Sequence, residues 1–405
     1  MIGNIAIVHT DFRLYWPARL RALNAFLTKR GVRLSVVEVS GKGSPYSFAD
    51  SSGSQAGLSW TQLFGDRRME DIEPAEALGA VIAKLDELDP DAVISGPIAF
   101  PSGAASTRWC SGKRRPQVVF DDARLDDVPR PGYVDWIKRQ VYSQIDAMVI
   151  PAPSHDATYR YFGFGSDRLF YGVNAVDNRF FTTPDVSVAS PLPEAVMRGP
   201  FLLCVGRQIP KKNWLRLLEA FNNIAARPEA IDWSLVFIGD GPDHEELVRL
   251  AGGLAGSRIH FLPFSTQAEL THCYRTAAAL ILPSLHGETW GLVVNEAMAA
   301  GLPVLVSSSC GSAEVLVSEG VNGFVYDPER IGDIERALQA FIRLSPAERE
   351  MMGEASHRII AGWGLERFCL GMWDALCFAQ VQNKRRGTPA GRLIVNFWNG
   401  RYCPT

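Results

Sequence analysis

The sequence predicts an α/β protein made of two successive doubly wound domains, and three observations carry that expectation. The chain has 405 residues, more than one ordinary core organises and enough for two. Short apolar runs alternate with amphipathic stretches in both halves, the pattern of parallel strands covered on both faces by helices. Between the halves, TTPDVSVASPLPEAVMRGP (182–200) is rich in Pro, Ser and Thr and lacks periodicity, which is linker chemistry.

In the first half the strand candidates are IAIVHT (5–10), LSVVEV (34–39), AVISG (92–96), QVVFD (117–121) and AMVIPA (147–152). A helix is expected over Pro17–Arg30, where Leu20, Leu23 and Leu27 recur at near-helical spacing. The second half offers FLLCVG (201–206), SLVFIGDG (234–241), IHFLPF (259–264), AALILPS (278–284) and PVLVSS (303–308), with helices at Trp214–Ala225 and Glu245–Leu250. Near the end, 363–380 reads as one aromatic-rich helix. Beyond it a tail carries Lys384, Arg385, Arg386, Arg392 and Arg401 and no acid. The expected organisation is a first domain over 1–184, a linker over 185–199, a second domain over 200–362, a helix over 363–381 and the tail over 382–405. No period of 20–50 residues recurs, so a solenoid is excluded.

Composition removes several function classes. Hydrophobic content of 47% and charged content of 21% are ordinary for a globular chain. A net charge of −3 gives no reason to expect a nucleic-acid partner. Seven cysteines are scattered without CxxC pairs or zinc-type spacing, which suggests a reducing compartment. The opening MIGNIAIVHT lacks a basic stretch followed by a long apolar run and reads as a buried strand rather than a signal peptide. No run approaches the roughly 18 apolar residues of a membrane span, so a cytoplasmic protein is expected, with surface attachment to the inner face of a membrane left open. The tail interleaves its arginines with Leu393, Phe397, Trp398 and Tyr402. It suits either an anionic membrane surface or a strap folded over the body.

In doubly wound sheets ligands bind beyond the carboxyl ends of the strands, and there the second half is informative. In PSLHGETWGLVVNEAMAAGLPV (283–304), Glu288 precedes a turn at Trp290–Gly291 that opens a helix. Gly291 permits close backbone approach, and the amides of Gly291, Leu292 and Val293 form a helix N-terminus suited to phosphate. Glu288 is placed to accept from sugar hydroxyls and Glu296, further along the helix, from the two hydroxyls of a ribose. In VGRQIPKKN (205–213), Arg207 and Lys212 could neutralise a diphosphate, one as a planar fork and one as a point charge. Helix cap, exposed helix residue and solvated cations are the competing structural readings of these positions.

Together these segments resemble the retaining GT-B glycosyltransferases of family 4. GRQIPKKN, FIGDGPDHEEL, HFLPF, ILPSLHGETWGLVVNEAMAAGLPVLVSSSCGSAEVL and GVNGFVYDP follow the family's order across most of the second half, and YGVNAVDNRFF (171–181) is similar to its segment closing the first domain. The resemblance implies two Rossmann-like domains facing across a cleft, with the terminal helix returning to the first. It implies that Arg207 and Lys212 hold the diphosphate, Glu288 the transferred sugar and Glu296 the ribose. It places the loops around Gly239 and Phe264 at the base and adds Trp290 to the donor site. Asn213 stands where the family commonly has Gly. The first strand runs into HTDFRLYWPARL (9–20) without the paired glycines many members use, and His9, Asp11 and Arg13 are the candidates there for the acceptor side. Asp121 and Asp122, after a strand of the first half, are the candidates for a base, although a leaving phosphate oxygen can take the acceptor proton in a retaining scheme. The implied donor is a nucleotide diphosphate sugar and the acceptor a glycan, a lipid-linked sugar or a small molecule.

No cofactor and no metal are expected. Asp89-Pro90-Asp91 and the Asp121/Asp126 region imitate metal-binding acid pairs but sit where turn residues belong. No GxGxxG or GxxxxGK[ST] supports NAD binding or an ATPase. The rival readings are a nucleotide-sugar epimerase of the same fold and a non-catalytic protein that binds nucleotide sugars.

Overall fold

The structure is a computed structural model that describes residues 2–44, 55, 57–127, 129–183, 185, 187–252, 258–382 and 387–402. The chain divides into two compact units. The first comprises 1–125, 129–175 and 365–405, and the second 126–128 and 176–364.

The elements of the first unit are β1 (Asn4–His9), α1 (Trp16–Thr28), β2 (Arg33–Glu38), β3 (Ser59–Gln62), α2 (Pro74–Leu88), β4 (Ala92–Ser95), α3 (Pro101–Lys113), β5 (Gln117–Phe120), α4 (Gly132–Tyr142), β6 (Ala147–Ile150), α5 (Asp156–Tyr161) and β7 (Leu169–Tyr171). Those of the second are α6 (Asn178–Thr182), β8 (Phe201–Val205), α7 (Trp214–Ile224), β9 (Ser234–Ile238), α8 (His244–Ala251), β10 (Ile259–Leu262), α9 (Gln267–Thr276), β11 (Ala279–Leu282), α10 (Leu292–Ala299), β12 (Val304–Ser307), α11 (Ala313–Leu316), β13 (Gly323–Tyr326), α12 (Ile331–Ile342) and α13 (Pro346–Ile360). The chain then returns to the first unit with α14 (Leu365–Gln382) and α15 (Pro389–Ile394).

The first sheet has seven strands in the order β3-β2-β1-β4-β5-β6-β7, and the second has six in the order β10-β9-β8-β11-β12-β13. Both are parallel throughout. The strand order reverses between β1 and β4 in one sheet and between β8 and β11 in the other, and these switch points open the ligand crevices of such folds.

Every expected strand forms, shortened at its carboxyl end because the last residues turn away as loops. Three edge strands escaped the sequence reading. β3 is polar, β7 has three residues, and β13 lies inside GVNGFVYDP. Strand β1 shows why the central strands were legible. Ile5 and Ile7 face one apolar layer while Ala6 and Val8 face the other, so the run is apolar on both sides.

The helix α14 completes the first of those layers. Phe368, Met372, Ala375 and Leu376 lie on one side of it and are buried with Leu20, Leu23 and Leu27 of α1 against the sheet. Trp363, expected to start this helix, stays in the second unit with its ring 5.8 Å from that of Trp290. The step between units also comes earlier than Pro184, after Ala175. The segment Asn178–Thr182 belongs to the second unit because Phe181 is buried there, 6.2 Å from the Tyr274 ring.

The tail straps the first unit. Arg108 donates to the Val395 carbonyl and to the Asn399 side chain. Trp398 Nε1 donates to the Ile98 carbonyl at 2.6 Å, and the Arg401 amide to that of Ala99 at 2.7 Å. The Tyr402 hydroxyl reaches the Ser44 carbonyl. Lys384, Arg385 and Arg386 lie outside the described residues. Among the described residues no helix is long and apolar enough to cross a membrane.

Truncating a partly buried Trp that also loses a hydrogen bond costs roughly 2 kcal/mol. For a unit of this size that corresponds to roughly 4–8 °C. Trp398→Ala should therefore lower the thermal midpoint of the first unit by that amount in calorimetry, and an unchanged midpoint would show that the strap contributes nothing.

Candidate functional site

The second unit's switch point gathers the predicted residues from two adjacent strand ends. After β8 the chain passes Gly206 and Arg207, reaches a tight turn at Pro210–Lys212, and enters α7 through Asn213. Asn213 sits at φ 58°, ψ 29°, the left-handed region that Asn tolerates better than most residues, which is the physical reason it can replace Gly. Its side-chain amide donates to the carbonyls of Pro283 and Pro328. After β11, the PSLHGETWG loop leads into α10, which begins at Leu292 with Gly291 before it at φ 87°. A Cβ on Gly291 would lie 2.8 Å from Leu282 Cδ2 and 3.0 Å from Cys310 Sγ, so conformation and space both demand glycine. Leu292 and Val293 are half-buried at the first turn of α10, whose amides have no acceptor within the helix.

The two loops meet in an ion pair. Lys212 Nζ lies 2.6 Å from Glu288 Oε2, with each side chain only 12% exposed. The Ser284 hydroxyl donates to the same carboxylate oxygen at 3.0 Å, and Lys211 Nζ donates to the Gly287 carbonyl. Burial works against the charge on Glu288, but Lys212, together with Lys211 and the Ser284 hydroxyl, outweighs it and holds the carboxyl below the usual glutamate value. Arg207 follows Gly206, whose Cβ position lies 3.7 Å from Lys212 Nζ, and its carbonyl accepts from Trp214 Nε1. A cation, a carboxylate held ionised and a helix N-terminus thus converge at one strand junction.

Several predicted residues are held by partners within the unit. Glu296 is not an open carboxylate. It is buried on α10, and the Tyr274 hydroxyl donates to its Oε2 at 2.5 Å. Trp290 faces the interior, with Nε1 donating to Asn295 Oδ1 at 2.8 Å. It braces the loop rather than offering a surface. Gly239 lies against the other loop, where a Cβ would stand 2.2 Å from the Gly206 carbonyl oxygen. Phe264 is exposed beyond β10.

Sequence reasoning missed Gln208, which is buried and ties the loop after β8 to the loop after β9 and to the start of α8. Its Nε2 donates to the Gly239 carbonyl, its amide to the Asp240 carbonyl, and its Oε1 pairs with His244 Nδ1 at 2.8 Å. Tyr274 and Ser284 were missed as well. Gln208 and Tyr274 carry no sequence signal because their partners lie 31 and 22 residues away, whereas Ser284 sits only four residues before Glu288.

In the first unit the candidates fall into two groups. Arg13 is buried and spends its guanidinium on the carbonyls of Gly43 and Ser44 and on Asp11. It is a structural arginine, a correction to its expected place on the acceptor side, and it draws Asp11 with it. His9, at the end of β1, is enclosed by the rings of Phe12, Trp16 and Phe120. Its Nδ1 is buried without a hydrogen-bond partner, and burial lowers its pKa to about 4, so it is neutral at pH 7. Asp121 accepts from the Tyr142 hydroxyl. Burial first, and then the charge of Asp122, raise its pKa to about 6. Asp122 accepts from Asn174 Nδ2 at 3.1 Å.

Of the acids set aside as metal ligands, Asp89 and Asp91 are turn residues. Asp89 caps α2 in the left-handed conformation, and the Asp91 carboxylate accepts the amides of Gly3 and Asn4. Among the described residues no three His, Cys, Asp or Glu gather as a metal site.

Because Lys212 holds Glu288 ionised, the pair stabilises the fold above the glutamate's ordinary value near 4.5 and loses that contribution as the carboxylate protonates below it. Lys212→Met strands a buried carboxylate and should cost about 2 kcal/mol at pH 7, discounted from a fully buried pair. The gap between variant and wild type in urea unfolding should narrow as pH falls towards and below 4.5, because protonation relieves the stranded carboxylate and removes the wild-type pair. A gap independent of pH would mean that the pair contributes nothing.

Comparison with known proteins places this geometry. The model of the family "Glycosyl transferases group 1" matches residues 193–358. A D-inositol 3-phosphate glycosyltransferase of Frankia alni is 37% identical over 209 residues, covering 49% of this chain and 48% of that protein. One of Geodermatophilus obscurus is 29% identical over 286 residues, covering 68% and 62%. The chain thus spans about half the length of the first of these relatives and somewhat more of the second. Among solved structures, a glycosyltransferase from Rickettsia africae superimposes with a TM-score of 0.72 at 14% identity, covering 93% of this chain and 98% of that one. HepE of Anabaena in complex with UDP gives 0.69 at 16% identity, covering 93% and 100%. At such identities the structural likeness carries the fold alone. Residues 193–358 thus carry a match to the glycosyl transferases group 1 family, and the chain has the GT-B fold.

Proposed function

We propose that the protein is a retaining glycosyltransferase that moves a sugar from a nucleotide diphosphate sugar to an acceptor. The observation that carries this reading is the convergence of the Lys212–Glu288 pair with the amide end of α10 at the β8/β11 switch point. Breaking a sugar–phosphate bond builds positive charge on the sugar and negative charge on the departing diphosphate. Lys212, Arg207 and the first amides of α10 are the groups for the diphosphate, because fixed donors need no reorganisation as charge develops. Glu288 is the acceptor for the sugar's hydroxyls, held ionised at neutral pH. Glu296 reads the ribose, with Tyr274 fixing its carboxylate. The relatives named D-inositol 3-phosphate glycosyltransferase and the HepE complex with UDP support this class of donor.

The first unit is the acceptor half, and the acceptor is a glycan, a lipid-linked sugar or a small molecule used in cell-surface polysaccharide or glycoconjugate synthesis. A leaving phosphate oxygen takes the acceptor proton. Asp121, with its raised pKa, is the side chain to assist if one does. No metal takes part in this scheme. The protein works in the cytoplasm, peripherally at the inner face of the membrane.

Thermal shift with UDP, GDP and ADP, followed by product analysis with and without acceptor, tests the reading. Conversion of donor to an epimer without acceptor would establish an epimerase instead. Glu296→Gln should weaken nucleotide binding about tenfold, the loss of one charged hydrogen-bond acceptor. Glu288→Ala should leave nucleotide affinity intact and remove transfer. Equal nucleotide affinity in wild type and Glu296→Gln would sink the ribose assignment. Arg207→Ala and Lys212→Ala should each cut turnover by about 10²-fold, as loss of one transition-state donor does. The double variant should fall short of their product because both serve one leaving group.

A further inference from the structure

The strap changes which side chains of the tail face outwards. Trp398 and Tyr402 are tied to the body, while Leu393 is 62% and Phe397 77% exposed. In α15 and at its C-cap, Gly391 and Val395 face the body. Leu393 and Phe397, one turn apart, occupy the opposite side.

The helix α4 meets this element and has an outward apolar stripe of its own. Tyr133 and Trp136 are 69% and 53% exposed. With Gln140 they stand three and four residues apart, on one side of the helix. The stripe ends where α15 begins, since Gln140 Oε1 accepts from the Thr388 hydroxyl at 2.6 Å. Tyr161 of α5 meets α4 at Asp135 and Arg139, its ring 4.4 Å from the Arg139 guanidinium. Burying none of these rings is costly for an ordinary surface, and such concentrations mark interaction sites.

The charge of these elements selects the occupant. Arg139 and Arg392 are exposed among the apolar side chains. The acid of α4, Asp135, is bound by Arg130 at 2.7 Å and by the Tyr161 hydroxyl at 3.0 Å. The chain from Val381 to Thr405 has no acid, and Lys384, Arg385 and Arg386 lie in sequence between α14 and α15. Outward Trp, Tyr, Phe and Leu interspersed with arginines are the chemistry of an element lying in the headgroup region of a bilayer. We infer that the outward faces of α4 and α15, presenting Tyr133, Trp136, Leu393 and Phe397 with Arg139 and Arg392, dock the first unit on an anionic lipid surface. This rests on the peripheral placement proposed above and assigns the surface responsible.

Co-sedimentation with vesicles of phosphatidylcholine containing about 30% phosphatidylglycerol, against phosphatidylcholine alone, tests it at about 50 mM salt, where surface attraction is weakly screened. The full chain should bind the anionic vesicles and release as salt rises. Trp136→Ser with Phe397→Ser, and separately Arg139→Glu with Arg392→Glu, should each lower partitioning at least tenfold while leaving the thermal midpoint unchanged. If the full chain binds and both variants bind equally well, the surface is misassigned although the peripheral placement stands. If the full chain binds neither vesicle, the placement itself fails. Concentration-dependent dimerisation in ultracentrifugation that disappears with Trp136→Ser/Phe397→Ser, without vesicle binding, would make the patch an interface between copies and overturn the inference.

Discussion

The pairing of Lys212 with Glu288 depends on β8 and β11 being neighbours in a parallel sheet. The loops that leave two adjacent parallel strands emerge at the same edge, so residues 76 positions apart in sequence arrive within 2.6 Å. Much of the second unit serves that meeting. Asn213 turns the first loop through a left-handed conformation, and Gly291 lets the second pass between Leu282 and Cys310. Gln208 then ties the first loop to the loop after β9. A buried ion pair is a weak source of net stability. Its value here is positional, since it holds a cation and a carboxylate ready beside a helix N-terminus.

The first unit repeats the topology with different chemistry at its switch point. Where the second unit presents charges held by partners, the first presents His9 within an aromatic cage and Asp121 pushed towards neutrality. Burial dominates both shifts, and it acts in opposite senses on a base and an acid because it always disfavours the charged form. The two halves of the chain thus share an architecture while one sets an ion pair at a strand junction and the other holds titratable groups whose charged forms burial disfavours.

The return of α14 to the first unit shows how connectivity and packing divide the work. An α/β sheet has to be covered on both faces, and the layer beside α1 is completed by Phe368, Met372 and Leu376 from the far end of the chain. The strap that follows then fixes Trp398 and Tyr402 and leaves Leu393 and Phe397 outwards. In the tail, burial rather than composition decides which aromatics meet solvent.

What the sequence determined by itself was the pattern of elements and the identity of the loops that matter. Strands apolar on both faces, such as Ile5–Val8, announce themselves without any partner, and the glycine and glutamate positions of 283–304 fix a turn into a helix. Edge strands such as β3 did not announce themselves, because one polar side leaves no continuous apolar run. The tertiary structure alone decided that Arg13 is spent on the carbonyls of Gly43 and Ser44, that Trp290 faces inwards, and that Glu296 lies beneath the Tyr274 hydroxyl. The partners of Arg13 and Glu296, and the Trp363 ring beside Trp290, lie far away in sequence. A side chain's local pattern specifies its element and its face, but what that face meets is set only when the chain closes on itself.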